Sequence, residues 1–345
     1  MTNNRAYHVA VVGVTGAVGR TILKILEERN FPIGRLRALA SAKSKGQEIT
    51  FRGEKITVEE ATPESFEDVD LAFFSAGGSV SKKLVPEAVK RGTVVIDNTS
   101  AFRMDPEVPL VVPEVNPEDI AKHKGIIANP NCSTIQMVVA LKPLADRYGL
   151  SRVIVSTYQA VSGAGHNAME ELKRQARAVL DNQPVNPDIL PVGSLPKKHQ
   201  IAFNAIPQID VFNDNGYTFE EMKMINETKK IMHDDSIEVA ATCVRLPIIN
   251  GHSESVYVEL KEEPDWDELR QVLAQAPGII VEDNPAEQVY PLPLHAHGRG
   301  EVFVGRIRRD LDRPNGVHLW IVADNLVKGA ALNSVQIAEE WMKLQ

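Results

Sequence analysis

The stretch His8-Val9-Ala10-Val11-Val12-Gly13-Val14-Thr15-Gly16-Ala17-Val18-Gly19 predicts a buried strand, a glycine-rich turn and the start of a helix. Such a turn lets the backbone approach a pyrophosphate at the helix N-terminus, which indicates dinucleotide binding. The middle glycine comes later, at Gly16, than in the pattern G-x-G-x-x-G. A glycine-rich turn with a purely structural role therefore remains an alternative. After the second predicted strand, Ser41-Ala42-Lys43-Ser44 offers a cation and hydroxyls but no carboxylate. This favours a ribose 2′-phosphate, hence NADP over NAD.

Over the first 132 residues, short apolar segments alternate with amphipathic helical segments. That alternation predicts an α/β fold with a Rossmann-like parallel sheet. From about Arg152 the predicted strands are longer and alternate more cleanly, which indicates an α+β domain on a mostly antiparallel sheet. The last predicted helix, Ala330 to Lys343, is expected to return to the first domain. The predicted boundaries are 1–132 plus 325–345 for the dinucleotide domain and 133–324 for the second domain.

Composition indicates a soluble cytoplasmic protein. The 345 residues are 43% hydrophobic and 24% charged. No apolar run approaches the roughly 20 residues that span a bilayer. The first residues, Met1-Thr2-Asn3-Asn4-Arg5, lead straight into the first predicted strand without a signal-peptide core. The net charge of −8 argues against nucleic acid as a partner. Two cysteines exclude a disulfide framework, and the sequence shows no familiar metal-ligand spacing, so no metal is expected.

Asn129-Pro130-Asn131-Cys132-Ser133-Thr134 places a thiol where an apolar run ends and a helix begins. The helix dipole and unpaired N–H groups favour thiolate, with Ser133 and Thr134 as expected caps, so Cys132 is predicted to be a nucleophile. The alternative is a buried, inert thiol, which is the role expected for Cys243 inside a strand.

Four further motifs carry polar chemistry. Tyr158-Gln159 and the turn through Gly165 are expected to contact substrate or nicotinamide, although an ordinary loop stays open. Arg245 ends a strand and suits a substrate carboxylate, and His252 can move a proton near neutral pH. Asn98 to Arg103 follows a parallel strand and suits phosphate. Glu220-Glu221-Met222-Lys223 opens a helix, where the acids could simply complement the helix dipole.

Together, a thiolate, a nicotinamide, a histidine and a phosphate site predict the reduction of an acyl phosphate through a thioester, or the reverse reaction. These seven motifs and an eighth, Asp324 to Ala331, are spread along nearly the whole chain. In their order along the sequence they resemble the aspartate-semialdehyde dehydrogenase family of the bacterial type.

The resemblance implies NADPH-dependent conversion of 4-phospho-L-aspartate to L-aspartate 4-semialdehyde in lysine, diaminopimelate, threonine, methionine and isoleucine biosynthesis. It implies a homodimer joined through the second domain, and it implies that the second domain is also the catalytic domain. It further implies that Cys132 forms the thioester, His252 is the acid/base and Gln159 orients the substrate, while Arg245 binds the α-carboxylate and Glu220 the amino group. The phosphate ligands implied are Arg103, Lys223, Asn98 and Ser100. The NADP contacts implied are Gly13, Thr15, Gly16, Ala17, Val18, Lys43, Ser44, Ser162, Gly163 and Asn325.

Two alternatives stay open from the sequence. N-acetyl-γ-glutamyl-phosphate reductase shares the chemistry but takes an N-acylated substrate, for which an acidic residue at position 220 has no evident use. A catalytically silent NADPH-binding sensor needs only the turn from Gly13 to Gly19.

Overall fold

The computed structural model describes residues 5–345, which form two compact units. Unit 1 comprises the described residues up to Asn131 together with Ala330–Gln345, and unit 2 is Cys132–Gly329. The predicted boundaries differ from this division at two places. Cys132 opens a helix of unit 2, and residues 325–329 stay in unit 2, where Asn325 hydrogen-bonds to Ser162. Residues 1–4, on which the expectation about export partly rests, lie outside the described residues.

Unit 1 is built on a six-stranded sheet in the order β5-β2-β1-β6-β7-β8, in which every neighbouring pair is parallel. The predicted parallel sheet is therefore confirmed. A separate antiparallel pair, β3 with β4, lies between β2 and β5 in the chain. The strands are β1 (Tyr7–Val12), β2 (Ile33–Ala40), β3 (Glu48–Phe51), β4 (Glu54–Thr57), β5 (Glu59–Glu60), β6 (Leu71–Phe74), β7 (Val94–Asp97) and β8 (Ile126–Ala128).

The helices of unit 1 cover this sheet through apolar side chains spaced three and four residues apart. Helix α1 (Ala17–Glu28) buries Ile22, Leu23, Ile25 and Leu26. Helix α2 (Gly78–Lys90) buries Leu84, Val85 and Ala88 in a core cluster with residues of β1, β6 and β7. Because the strands are parallel, their carboxyl ends share one edge, and the polar turns after Val12, Asp97 and Ala128 all leave from it.

Unit 2 is built on a second six-stranded sheet, with three antiparallel and two parallel pairs in the order β10-β9-β11-β14-β13-β12. The predicted mixed, mostly antiparallel sheet is confirmed. Its strands are β9 (Leu150–Gln159), β10 (Glu238–Arg245), β11 (His252–Leu260), β12 (Ile279–Val281), β13 (Val302–Arg309) and β14 (Gly316–Ala323). Its helices are α3 (Cys132–Tyr148), α4 (His166–Leu180), α5 (Phe219–Met232), α6 (Trp266–Gln275) and α7 (Pro293–Ala296).

Helix α3 is the central helix of unit 2, and it packs against α5 and β11. Ten of its first thirteen residues are buried, among them Ile135, Val138 and Leu141. The last helix, α8 (Leu332–Lys343), belongs to unit 1, where the side-chain amide of Asn333 donates to the side-chain oxygen of Asn129 at 2.8 Å. No helix within residues 5–345 is long and apolar enough to cross a membrane.

Candidate active site

The turn after β1 brings three glycines into close contact. Gly13 has φ +86°, and a Cβ there would lie 2.8 Å from the carbonyl of Ser75 at the end of β6. A Cβ on Gly19 would lie 2.2 Å from the carbonyl oxygen of Gly13, so only glycine fits at both positions. Gly16 precedes α1 without a side-chain cap, and the first turn of the helix holds no acid. Uncapped N–H groups at this helix start suit a pyrophosphate, so the turn fits a dinucleotide.

Two further stretches of unit 1 follow strand ends. Lys43 and Ser44 lie in a short turn after β2, with Lys43 exposed to solvent. Arg103 is buried, and its guanidinium donates to the backbone oxygens of Asn129 at 2.9 Å and Asn98 at 2.8 Å. Arg103 thus links the turn after β7 to the segment that precedes Cys132. Ser100 in the same turn is exposed.

Cys132 is the first residue of α3 and is partly buried. The predicted caps are wrong, because Ser133 and Thr134 lie inside the helix. The Ser133 hydroxyl instead donates to Glu220, and Thr134 Oγ1 has no hydrogen-bond partner within residues 5–345. Cys243 is fully buried with its sulfur 3.7 Å from that of Met224, and burial raises the pKa of its thiol. The inert role predicted for Cys243 fits this packing.

A buried polar cluster adjoins Cys132, the predicted nucleophile. The side-chain amide of Gln159, at the end of β9, donates to Ser133 Oγ at 2.7 Å and to Glu220 Oε1 at 3.1 Å. Lys223 contacts the other oxygen of Glu220 at 3.3 Å and Asp210 at 3.1 Å. Glu220 is only 5% exposed. Because a buried carboxylate needs charged or hydrogen-bonding partners, the cluster accounts for an anion at this depth.

His252 opens β11 and has no solvent exposure. Its Nδ1 accepts the backbone N–H of Ala160 at 3.1 Å, so in the neutral ring the proton is assigned to Nε2. Nε2 has no hydrogen-bond partner within residues 5–345. Burial and the nearby positive charge of Arg245 lower the pKa of His252 to about 3. His252 therefore presents an N–H donor at neutral pH, not an imidazolium.

Arg245 and His252 converge on Gly163. A Cβ at Gly163 would lie 2.9 Å from Arg245 Nη1 and 3.3 Å from His252 Nε2. Arg245 is 4% exposed, and its Nη1 donates to the carbonyl of Ala160 at 2.7 Å. Ala160 therefore orients both functional groups, through its N–H and its carbonyl. The absence of a side chain on Gly163 leaves room beside them.

Asn325 fixes the two loops beside this pair. Its side-chain nitrogen donates to Ser162 Oγ at 3.0 Å, and its oxygen accepts the Gly251 N–H at 3.0 Å. The residues predicted for substrate chemistry in the second domain, together with Lys223, Ser162, Gly163 and Asn325, all lie in unit 2. Those predicted at the dinucleotide turn, together with Asn98, Ser100 and Arg103, lie in unit 1.

No sequence pattern indicated the role of Gly329, which lies against Cys132. A Cβ at Gly329 would lie 2.8 Å from Cys132 Cβ and 3.2 Å from its Cα. We expect Gly329→Ala to displace Cys132 and to lower kcat by at least about tenfold, since small misplacements of a reacting group are costly. The KM for NADPH should change little. Steady-state kinetics and the rate of Cys132 alkylation by iodoacetamide measure both effects.

Gly193→Ala is the matched control, because a Cβ there meets nothing within 4 Å and the backbone is not left-handed. Full activity in Gly329→Ala would show that the helix start yields to a methyl group at no catalytic cost.

Comparison with known proteins agrees with this arrangement. Residues 8–123 match the family model described as "Semialdehyde dehydrogenase, NAD binding domain", and residues 141–328 match "Semialdehyde dehydrogenase, dimerisation domain". The aspartate-semialdehyde dehydrogenase of Bacillus subtilis is 63% identical over 341 residues, which is 99% of each chain. The chain belongs to the aspartate-semialdehyde dehydrogenase family.

Solved structures of this family share the fold. That of aspartate semialdehyde dehydrogenase II from Vibrio cholerae, complexed with ASA, has a TM-score of 0.93 at 47% identity and covers 98% of this chain and 99% of that one. The Candida albicans enzyme with NADP has a TM-score of 0.75 at 26% identity, with coverage of 98% and 99%. Unit 1 therefore carries a nicotinamide-dinucleotide-binding domain of the family, and the predicted family and enzyme class are confirmed.

Proposed function

We propose that this protein reduces 4-phospho-L-aspartate to L-aspartate 4-semialdehyde with NADPH. The observation that carries the choice of substrate is the buried carboxylate of Glu220, hydrogen-bonded to the serine that follows Cys132. A free substrate ammonium suits such a carboxylate, whereas an N-acylated amine has no charge to offer it. Arg245 supplies a positive charge for the substrate α-carboxylate.

In the proposed reaction the sulfur of Cys132 attacks the carbonyl carbon of the acyl phosphate. A C–S bond forms, the bond to the phosphate oxygen breaks, and phosphate leaves with the electron pair, which gives a thioester. When bound, the nicotinamide supplies the hydride that reduces the thioester. The C–S bond then breaks, and the sulfur of Cys132 leaves with its electron pair as the aldehyde forms. Charge on the substrate oxygen is stabilised by the Nε2–H of His252, and the collapse itself needs no proton.

We assign the remaining roles by chemistry and by unit. Gln159 orients substrate through its amide. Lys223 in unit 2, and Arg103, Asn98 and Ser100 in unit 1, are proposed to bind phosphate. The turn through Gly13, Thr15, Gly16, Ala17 and Val18 would hold the pyrophosphate, while Ser162, Gly163 and Asn325 are proposed nicotinamide contacts. For the 2′-phosphate of NADP we propose Lys43 and Ser44, because the turn after β2 offers no acid.

We further propose a cytoplasmic homodimer. The match of residues 141–328 to a dimerisation domain supports the homodimer. Neither cysteine forms a disulfide within residues 5–345, and the chemistry requires the thiol of Cys132 to stay reduced, which suits a reducing compartment.

The purified protein should reduce NADP when given L-aspartate 4-semialdehyde and phosphate, measured as NADPH absorbance. Turnover should be much slower with N-acetyl-L-glutamate 5-semialdehyde, which leaves Glu220 without a cation, and slower with NAD than with NADP. Omission of phosphate is the control, because the thioester then lacks its acceptor. Faster turnover of the N-acetylated substrate would contradict the proposed substrate, and faster turnover with NAD would contradict only the cofactor preference.

A further inference from the structure

A buried carboxyl group lies beside the proposed active site without a role in the reaction. Glu254 has no solvent exposure, and neither of its oxygens accepts a hydrogen bond of good geometry within residues 5–345. An ionised carboxylate in such a place is costly unless donors or a cation compensate it. A neutral, protonated Glu254 would avoid this cost.

Glu254 lies between the two elements that carry the proposed catalytic groups. It follows His252 by two residues on β11, so both side chains project from the same face of the strand, and α3 packs against this strand. Gln136 lies one helical turn after Cys132 on α3, and its amide donates to the backbone oxygen of His252 at 3.3 Å. The side-chain oxygen of Gln136 is also buried without a donor. Within the described residues, these three buried oxygens thus lack a donor in good hydrogen-bond geometry.

The surroundings of Glu254 disfavour a negative charge. Burial raises the pKa of Glu254 well above its usual value, the Gln136 amide opposes this rise, and the carboxylate of Glu220 adds to it. The titratable groups that face Glu254 are Glu220 from α5 and Cys243 from β10. The paired residues on the flanking strands are Thr157 of β9 and Ile321 of β14, which carry no charge.

We propose that Glu254 is a positioning residue that carries a proton at neutral pH and donates it in a hydrogen bond to the side-chain oxygen of Gln136. This bond completes a connection from Glu254 through Gln136 to the backbone of His252, and so joins the strand that begins at His252 to the helix that begins at Cys132. Its effect on turnover rests on the proposed function. The protonation state of Glu254 does not depend on the proposed function.

Infrared difference spectroscopy tests the protonation state directly. Wild-type protein minus Glu254→Gln at pH 7 should show the C=O band of a protonated carboxylic acid, whereas wild type minus Glu238→Gln should not, because Glu238 is an exposed acid of the same unit. Labelling glutamate with ¹³C separates this band from that of Asp97, a second buried carboxyl whose pKa is raised by burial. If Glu254→Gln fails to fold, Glu254→Leu replaces it in the difference spectrum of the labelled protein. Absence of the band at pH 7 would overturn the proposal.

The pH dependence of stability provides a second readout. A protonated Glu254 loses its proton on unfolding once the pH exceeds the usual glutamate pKa, so the wild type loses stability as the pH rises from 5 to 7. Glu254→Gln removes this linkage, and the ratio of the two unfolding constants should change by about tenfold per pH unit in favour of the variant. A ratio that does not change over this range would contradict a native-state proton on Glu254.

Kinetics separate positioning from a structural role. We expect Glu254→Gln to retain kcat within about threefold, because the amide N–H can replace the acid O–H as the donor. Glu254→Leu removes the donor and should lower kcat by about tenfold at unchanged KM, the size of one lost hydrogen bond. Equal losses in both variants would contradict the proposed donor role. Inactive wild-type enzyme that still shows the infrared band would contradict the proposed function but leave the protonation of Glu254 intact.

Discussion

Cys132→Ala should abolish turnover while NADPH binding survives. The thioester requires a sulfur at this position, and removal of a nucleophile from a catalytic set typically costs about 10⁴-fold or more in kcat. NADPH binding should persist within about twofold, because the dinucleotide turn of unit 1 does not include Cys132. Steady-state assay in both directions and titration of NADPH fluorescence measure the two quantities.

Cys243→Ala is the matched control for loss of a thiol. Cys243 packs in the interior, so its truncation should cost stability but leave kcat of the folded enzyme near the wild-type value. Mass spectrometry after mixing with β-aspartyl phosphate, without reductant, should show an acyl adduct on Cys132 of the wild type and none in Cys132→Ala. Undiminished turnover of Cys132→Ala would favour a silent NADPH-binding protein with a contaminating activity, and would remove the thioester from the mechanism.

The sequence predicted those parts of the site that depend on local order. A glycine-rich turn after a buried strand, and a cysteine at a helix start, follow from spacing within about a dozen residues, and the structure contains both. The parallel direction of the strands in unit 1 follows from the alternation of strands and helices, because a crossover helix brings the chain back to start the next strand in the same direction. The mostly antiparallel sheet of unit 2 follows from its long alternating strands, because a sheet with one face in the core alternates apolar and polar residues.

What the sequence did not predict depends on contacts between distant segments. Gly329 lies against Cys132, although almost 200 residues separate the two in the sequence. The position of Ser133 near the helix start predicts a cap, but its partners Gln159 and Glu220 lie on other elements. Glu254 offered one local signal, an acid on the buried face of an alternating strand, two residues after the histidine. Its lack of a partner became visible only once the packing of α3 was known.

His252→Asn should lower kcat by about 10²- to 10⁴-fold, the range for loss of one acid/base or oxyanion-stabilising group. The physical reason is the loss of the Nε2–H donor, which the Ala160 N–H holds in place through Nδ1. Since the pKa of His252 is lowered to about 3, the ring stays neutral from pH 5 to 8. The pH profile of wild-type kcat should therefore show no ionisation near pH 6.5 that His252→Asn removes. KM for NADPH should change little.

The same ionisation links His252 to acid stability, with a sign opposite to that of Glu254. Between pH 6.5 and about 3 an unfolded histidine binds a proton that the folded protein excludes, so the wild type loses stability as the pH falls through this window. His252→Asn should remove this part of the acid sensitivity, so the ratio of unfolding constants should change by about tenfold per pH unit in favour of the variant. His297→Asn is the control, because this histidine is more than half exposed and hydrogen-bonds to Asp324. A wild-type kcat that changes with pH around 6.5, with the change absent in His252→Asn, would contradict the neutral ring. It would show that His252 titrates and acts as an imidazolium acid.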